Sequence, residues 1–251
     1  AALGTDPNAT AVLNVGGMAQ CGPHLPVSTN TLMGMEILGA ALRRLPRAIT
    51  ILSLPPTNIG KSIEHIDFPG TIAYQGDTLR LVLRDIARGV AAAHFSKLVL
   101  LGSHGGNVGL MDDYFRDLRM DTGLRVYKVN VSSIANPPDL IPAAEAATGL
   151  HGGDAGTSLV LHMAPKLVHM DLAEGYVFEP SPDIGFSFKG QDVIEAWITT
   201  DLAPNGVIGN PLMSTAAKGA LMFDAKVERL AELLQAIYAD PRRESAPAQV
   251  P

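Results

Sequence analysis

Apolar positions along the chain follow two alternating rhythms. Val12–Gly16, Ile49–Leu54, Lys97–Leu101 (KLVLL) and Leu124–Val131 are short runs that read as strands. KLVLL is almost wholly apolar, which marks a strand covered on both faces. Longer stretches between them carry helical spacing. Thr29–Leu45 places Leu32, Met35, Leu38 and Leu42 on one side and is stopped by Pro46. Asp77–Phe95 does the same with Leu79, Val82, Leu83, Ile86 and Val90, with Asp77 as its N-cap. Asn107–Met120, a helix from Gly156 to Met163, and Leu221–Tyr238 complete the set. Strands alternating with helices predict an α/β fold with parallel pairing, right-handed crossovers and helices on both faces of the sheet. No repeat or linker interrupts residues 1–239, which read as one domain; residues 240–251 read as a flexible tail.

In such folds the site lies beyond the carboxyl ends of the strands. Two unusual loops sit there. Gly16–Asn30 (GGMAQCGPHLPVSTN) is stiffened by prolines and carries Cys21, His24 and Asn30. Gly102–Asn107 (GSHGGN) carries Ser103 and His104, with Gly105 and Gly106 beside a helix start that favours negative charge. Two further segments hold chemistry-bearing residues: SIEHIDFPGT, with Glu64 next to His65, and HGGDAGTS, with His151 and Asp154.

Taken in chain order, these four strings resemble motifs of the creatininase (creatinine amidohydrolase) family. GPHLPVSTN, EHIDFPGT, GSHGGN and HGGDAGTS each match, and GVIGNPLMSTAAKG resembles the family's ending. The resemblance implies a three-layer α/β/α domain with a mostly parallel central sheet. It implies hydrolysis of small cyclic amides or related bonds, in a homo-oligomer, often a hexamer. It also implies two divalent metals bridging a nucleophilic water. The positions that would ligate them read Ala19, Cys21, Asn30, His104 and Gly156, so only His104 is kept. Four positive charges need carboxylates. The expectation is therefore a site with no resident metal.

With the metal pair set aside, His104 and His151 are candidate proton carriers, and Cys21 is a candidate nucleophile that with His104 and Asn30 matches a cysteine hydrolase in residue types. Cys21 and His104 are alternatively ligands of one zinc ion. The plainer reading, a buried thiol filling the space of an imidazole, is preferred. Asn30, Ser103, Gly105, Gly106, Asp154, Glu64 and His65 are candidate substrate contacts, with backbone N–H groups at Gly105 and Gly106 placed to stabilise an oxyanion. Capping of a helix at Gly156 is the plainer role for Asp154, and bracing of the first loop for His24. His162 is expected in a buried helix, and Met120 in the core.

Composition narrows the classes. With 47% hydrophobic and 18% charged residues among 251, a large core is available. A net charge of −6 and the lack of a basic patch argue against nucleic-acid binding. No apolar run is long enough for a membrane span. A single cysteine points to a reducing cytoplasm. The function expected is hydrolysis or ring opening of a C–N or lactam-like bond in a small polar molecule, with proton-transfer chemistry such as isomerisation as a variant. The alternative class is a non-catalytic, ligand-binding subunit of a mixed oligomer.

Overall fold

A computed structural model describes residues 6–176 and 196–241. Among them four parallel strands form one sheet in the order β2-β1-β3-β4, with β1 Thr10–Val15, β2 Ile51–Ser53, β3 Lys97–Gly102 and β4 Arg125–Asn130. The alternation of side chains sorts the core into two layers. Ala11, Leu13, Val15, Leu98 and Leu100 point to one face and pack against helices α2 (Gly76–Ala92) and α3 (Val108–Thr122). Val12, Val99, Leu101 and Val129 point to the other, against α1 (Thr29–Arg44) and α7 (Ala216–Ala239). The expected three-layer α/β/α architecture is therefore present. The short helices α4 (Ala143–Thr148), α5 (Asp154–Met163) and α6 (Thr199–Leu202) lie on the remaining segments. Among the described residues no helix is long and apolar enough to cross a membrane.

Several local expectations are corrected. Helix α2 begins one residue earlier than expected, so Gln75 is the N-cap and Asp77 lies within the first turn. Helix α1 does not bury the stripe through Leu32 and Met35. It buries Asn30, Gly34, Ile37, Leu38 and Ala41, because Gly34 lets the helix lie on Asn14: a Cβ there would meet Asn14 Oδ1 at 2.4 Å. His162 is exposed on α5, its ring 5.2 Å from that of Phe223. Met120 is exposed near the end of α3, whereas Met111 is fully buried.

The amino end of the sheet is fixed by Lys97. Its buried Nζ donates to the carbonyls of Ile237, Tyr238 and Asp240 at 2.6–2.8 Å. Those are the carbonyls that a helix end leaves without intrahelical donors. This ties α7 to the amino end of β3 and leaves the carboxyl ends of the strands free for the loops that build the site.

Candidate active site

Asn107 knits those loops together. It is fully buried, accepts from Lys61 N at 2.8 Å and donates to Val15 O and Gly16 O at 3.2 and 2.8 Å. The loops after β1, β2 and β3 are thereby fixed by one side chain.

His104 follows β3 and is buried under Gly17, where a Cβ would meet its ring at 3.0 Å. Its Nε2 faces Ser62 Oγ at 3.0 Å and Glu64 Oε1 at 3.4 Å. A carboxylate only accepts, so a proton on Nε2 serves both oxygens. Nδ1 is then the acceptor for the Asn30 amide at 3.2 Å. Both ring nitrogens are thus engaged within the protein.

His65 has the opposite tautomer. Thr199 Oγ1 donates to Glu64 O at 2.8 Å, so this hydroxyl must accept from His65 Nδ1–H. The Nε2 of His65 is left as a bare acceptor, 3.6 Å from Glu64 Oε1. The His151 ring stacks on His65 with centroids 3.9 Å apart and donates from Nε2 to Gln20 O. Burial pushes His65 down to about 3, helped by the neighbouring His151, and pushes His151 down to about 4. Burial works against ionisation of Glu64, but the His104 ring outweighs it and holds the carboxyl below its usual range. At neutral pH the cluster therefore presents an ionised carboxylate and two uncharged imidazoles.

Six of the residues singled out from the sequence or adjoining them converge here: Asn30, Glu64, His65, His104, His151 and Gly106, where a Cβ would stand 2.3 Å from Glu64 Oε1. Gly105 and Gly106 open the turn leading into α3, and Gly105 is exposed. Ser103 donates from its backbone to Val15 O at 3.1 Å, and its buried hydroxyl has no partner. Cys21 lies elsewhere. Its Sγ meets Ala19 O at 3.6 Å among Leu25 and Val160, and burial pushes the thiol up to about 12. Asp154 is also directed away. Helix α5 starts at Asp154 itself, so this residue is not an N-cap. Its carboxylate takes Lys218 Nζ at 2.6 Å and Ser158 Oγ at 3.0 Å. His24 braces the first loop through Thr157 at 2.9 Å.

Gln20, which the first loop carries beside Cys21, completes the site together with Ser62, Thr199 and Glu145, and none of the four was singled out as a site residue from the sequence. Ser62 had a signal, standing two residues before Glu64. Thr199 had none, because it arrives from 134 positions beyond His65.

A thiol with so high a pKa is not a thiolate at working pH. Iodoacetamide is expected to leave Cys21 unmodified in the native protein at pH 8 and to alkylate it fully in denaturant. Rapid alkylation of the native protein in intact-mass spectra would contradict this environment.

Fold and site define an α/β/α protein with a histidine and carboxylate cluster at the carboxyl ends of a parallel sheet. A family model, Creatininase: creatinine amidohydrolase, matches residues 1–234, and the chain belongs to the creatininase family. A mycofactocin precursor peptide peptidase of Mycobacterium ulcerans is 28% identical over 222 residues, covering 86% of this chain and 81% of that protein. A creatinine amidohydrolase of Pseudomonas putida is 28% identical over 241 residues, covering 89% and 88%. Among solved structures, a creatininase described in a manganese form shares the fold with a TM-score of 0.74 at 23% identity, covering 95% of this chain and 94% of its own; another creatininase is described in a Zn-Zn form. Here the donors do not fit a metal pair. His104 has no free nitrogen, Cys21 carries a neutral thiol, and Asp154 is paired with Lys218. Among the described residues no group of three or more His, Cys, Asp and Glu side chains is arranged to hold an ion.

Proposed function

We propose that the protein is a creatininase-family hydrolase that opens a C–N bond of a small polar amide or lactam without a resident metal pair. The observation that carries this reading is the pair of acceptors Glu64 Oε1 and His65 Nε2, set 3.6 Å apart: His65 Nε2 carries no proton, and the hydrogen bond that Oε1 accepts from His104 Nε2–H leaves that carboxylate oxygen a second lone pair. A water molecule donating to both would be oriented and polarised for attack. One water proton passes to the Glu64 and His65 pair, which titrates as a unit. Oxygen bonds to the carbonyl carbon, the C–N bond breaks, and the proton returns to the leaving nitrogen. His104 holds Glu64 through Nε2–H, and backbone N–H groups of Gly105 and Gly106 are assigned to stabilise the developing oxyanion. His151 Nδ1, left free by the bond to Gln20, accepts from substrate N–H.

Metal independence is tested by turnover on a panel of cyclic amides and short peptides, the latter prompted by the peptidase relatives. Activity that survives exhaustive chelation, with metal content far below one equivalent, is expected. Activity lost on chelation and restored by zinc or manganese would overturn it. A His151→Ala variant should lose about 10²-fold in turnover.

The low basicity of His65 and His151 favours one second reading, a non-catalytic subunit that binds a small ligand. It predicts ligand-induced stabilisation with no turnover of any panel member. In either reading the chain works as a cytoplasmic homo-oligomer, a hexamer by family, or beside a relative in a mixed one.

A further inference from the structure

Glu145 is, among the described residues, a buried carboxylate near the site that neither the family motifs nor the proposed chemistry uses. It projects from α4 and is only 8% exposed. No ion pair to it occurs among the described residues; backbone N–H groups satisfy it instead. Oε1 accepts from Asp154 N and Oε2 from Asn210 N, both at 2.9 Å. The first of these amides is the opening of α5, where the helix dipole favours an anion.

The surrounding backbone leaves room for this group and little else. A Cβ on Gly149, Gly153 or Gly209 would stand 2.6, 2.2 or 2.6 Å from Oε1. Gly149 and Gly153 flank His151 on one segment, and Gly209 lies on the other. The two segments also pair directly: His151 N donates to Ile208 O at 3.0 Å, and Ile208 N to His151 O at 2.8 Å. One carboxylate therefore bolts together, just past that bridge, the two backbones between which His151 is held. The ring's own anchor is weaker in reach, a single bond to Gln20 O, while Gly152 lies against Cys21 O, where a Cβ would be 2.8 Å away. If the two segments part, the stack of His151 on His65 parts with them.

We propose that Glu145 is a positioning residue: an internal anion, seated in a three-glycine cradle at the start of α5, that holds the His151 ring on His65. The inference rests on the reading of His151 as a site group, but its test does not need turnover. Removing the carboxylate leaves two unpaired N–H groups around a hole of carboxylate size. Added formate fits that hole and its charge.

The experiment follows the His151 imidazole by NMR in the full-length protein, comparing wild type with Glu145→Ala and Glu145→Gln. In Glu145→Ala the midpoint of the His151 titration is expected to move from about 4 upward, by at least one on the pH scale, toward the ordinary 6.5, as the ring leaves its burial. Formate is expected to bring it back. His162, exposed and remote on α5, should not move. Glu145→Gln offers one acceptor and sets its NH2 against the second backbone N–H, so a smaller displacement is expected, and it serves if the alanine variant does not fold. An unchanged His151 titration in a folded variant would overturn the proposal, as would a displacement that formate leaves in place. A His151→Ala protein with full turnover would instead overturn the functional reading and leave the Glu145 result standing.

Discussion

A Glu64→Gln variant is expected to lose about 10²–10⁴-fold in kcat, the range that a positioned general base contributes, with KM little changed. The substitution is nearly isosteric. The glutamine oxygen still accepts from His104 Nε2, and Thr199 still holds the backbone carbonyl of residue 64 and the Nδ1–H of His65. What disappears is the negative charge and the ability to take a proton. Thermal stability should therefore stay close to wild type, separating chemistry from folding. Because Glu64 is ionised beside two uncharged imidazoles, it is the group that sets the sign of the potential where substrate enters. Wild-type kcat in Glu64→Gln, measured on whichever panel compound turns over, would remove Glu64 from the mechanism and with it the water-activating pair.

Hydrophobic rhythm carried most of the fold. KLVLL became a strand buried along its whole length, and the α2 and α7 stripes packed as their spacing requires. It misled at α1, where the buried face is defined by small and polar residues, Asn30 and Gly34, that periodicity does not weigh. It also misled at His162, since a helix lying on α7 exposes one side whatever its composition. In the site, loop motifs brought forward Glu64, His65, His104 and His151, because side chains clustered after parallel strands must meet. Roles were harder. Cys21 and Asp154 sit inside matching motifs, yet one turns into an apolar pocket and the other toward Lys218, and one-residue differences in direction leave no trace in a string. Thr199 acts through a backbone carbonyl 135 positions away, and Glu145 through amides 9 and 65 positions away, so no local pattern announces them.

Acid should destabilise this protein well before its carboxylates are titrated. His65 and His151 have folded pKa values near 3 and 4, against an ordinary value of 6.5. Above 6.5 both are neutral whether folded or not, and they contribute no slope. Between 6.5 and 4 the unfolded chain binds two protons that the folded chain refuses, so stability falls as pH falls through that window. His24, whose pKa burial also lowers, acts in the same direction. Glu64 adds its share at the acid end, because its lowered pKa gives stability that is lost as pH drops through the folded value. Each tenfold difference in proton affinity between the folded and unfolded chain is worth about 1.4 kcal/mol, and the two stacked rings are coupled, so a joint loss on the order of 3 kcal/mol between pH 6.5 and 4.5 is expected. For a chain of this length that is a drop of roughly 6–12 °C in Tm. Calorimetry at pH 6.5, 5.5 and 4.5 measures it directly. His151→Gln removes one titrating ring while keeping a donor to Gln20 O, and should flatten the profile by about half. An equal slope in that variant, or a wild-type Tm that does not change between pH 6.5 and 4.5, would mean that the two rings take up protons in the folded protein as readily as in water, and the buried neutral stack would have to be abandoned.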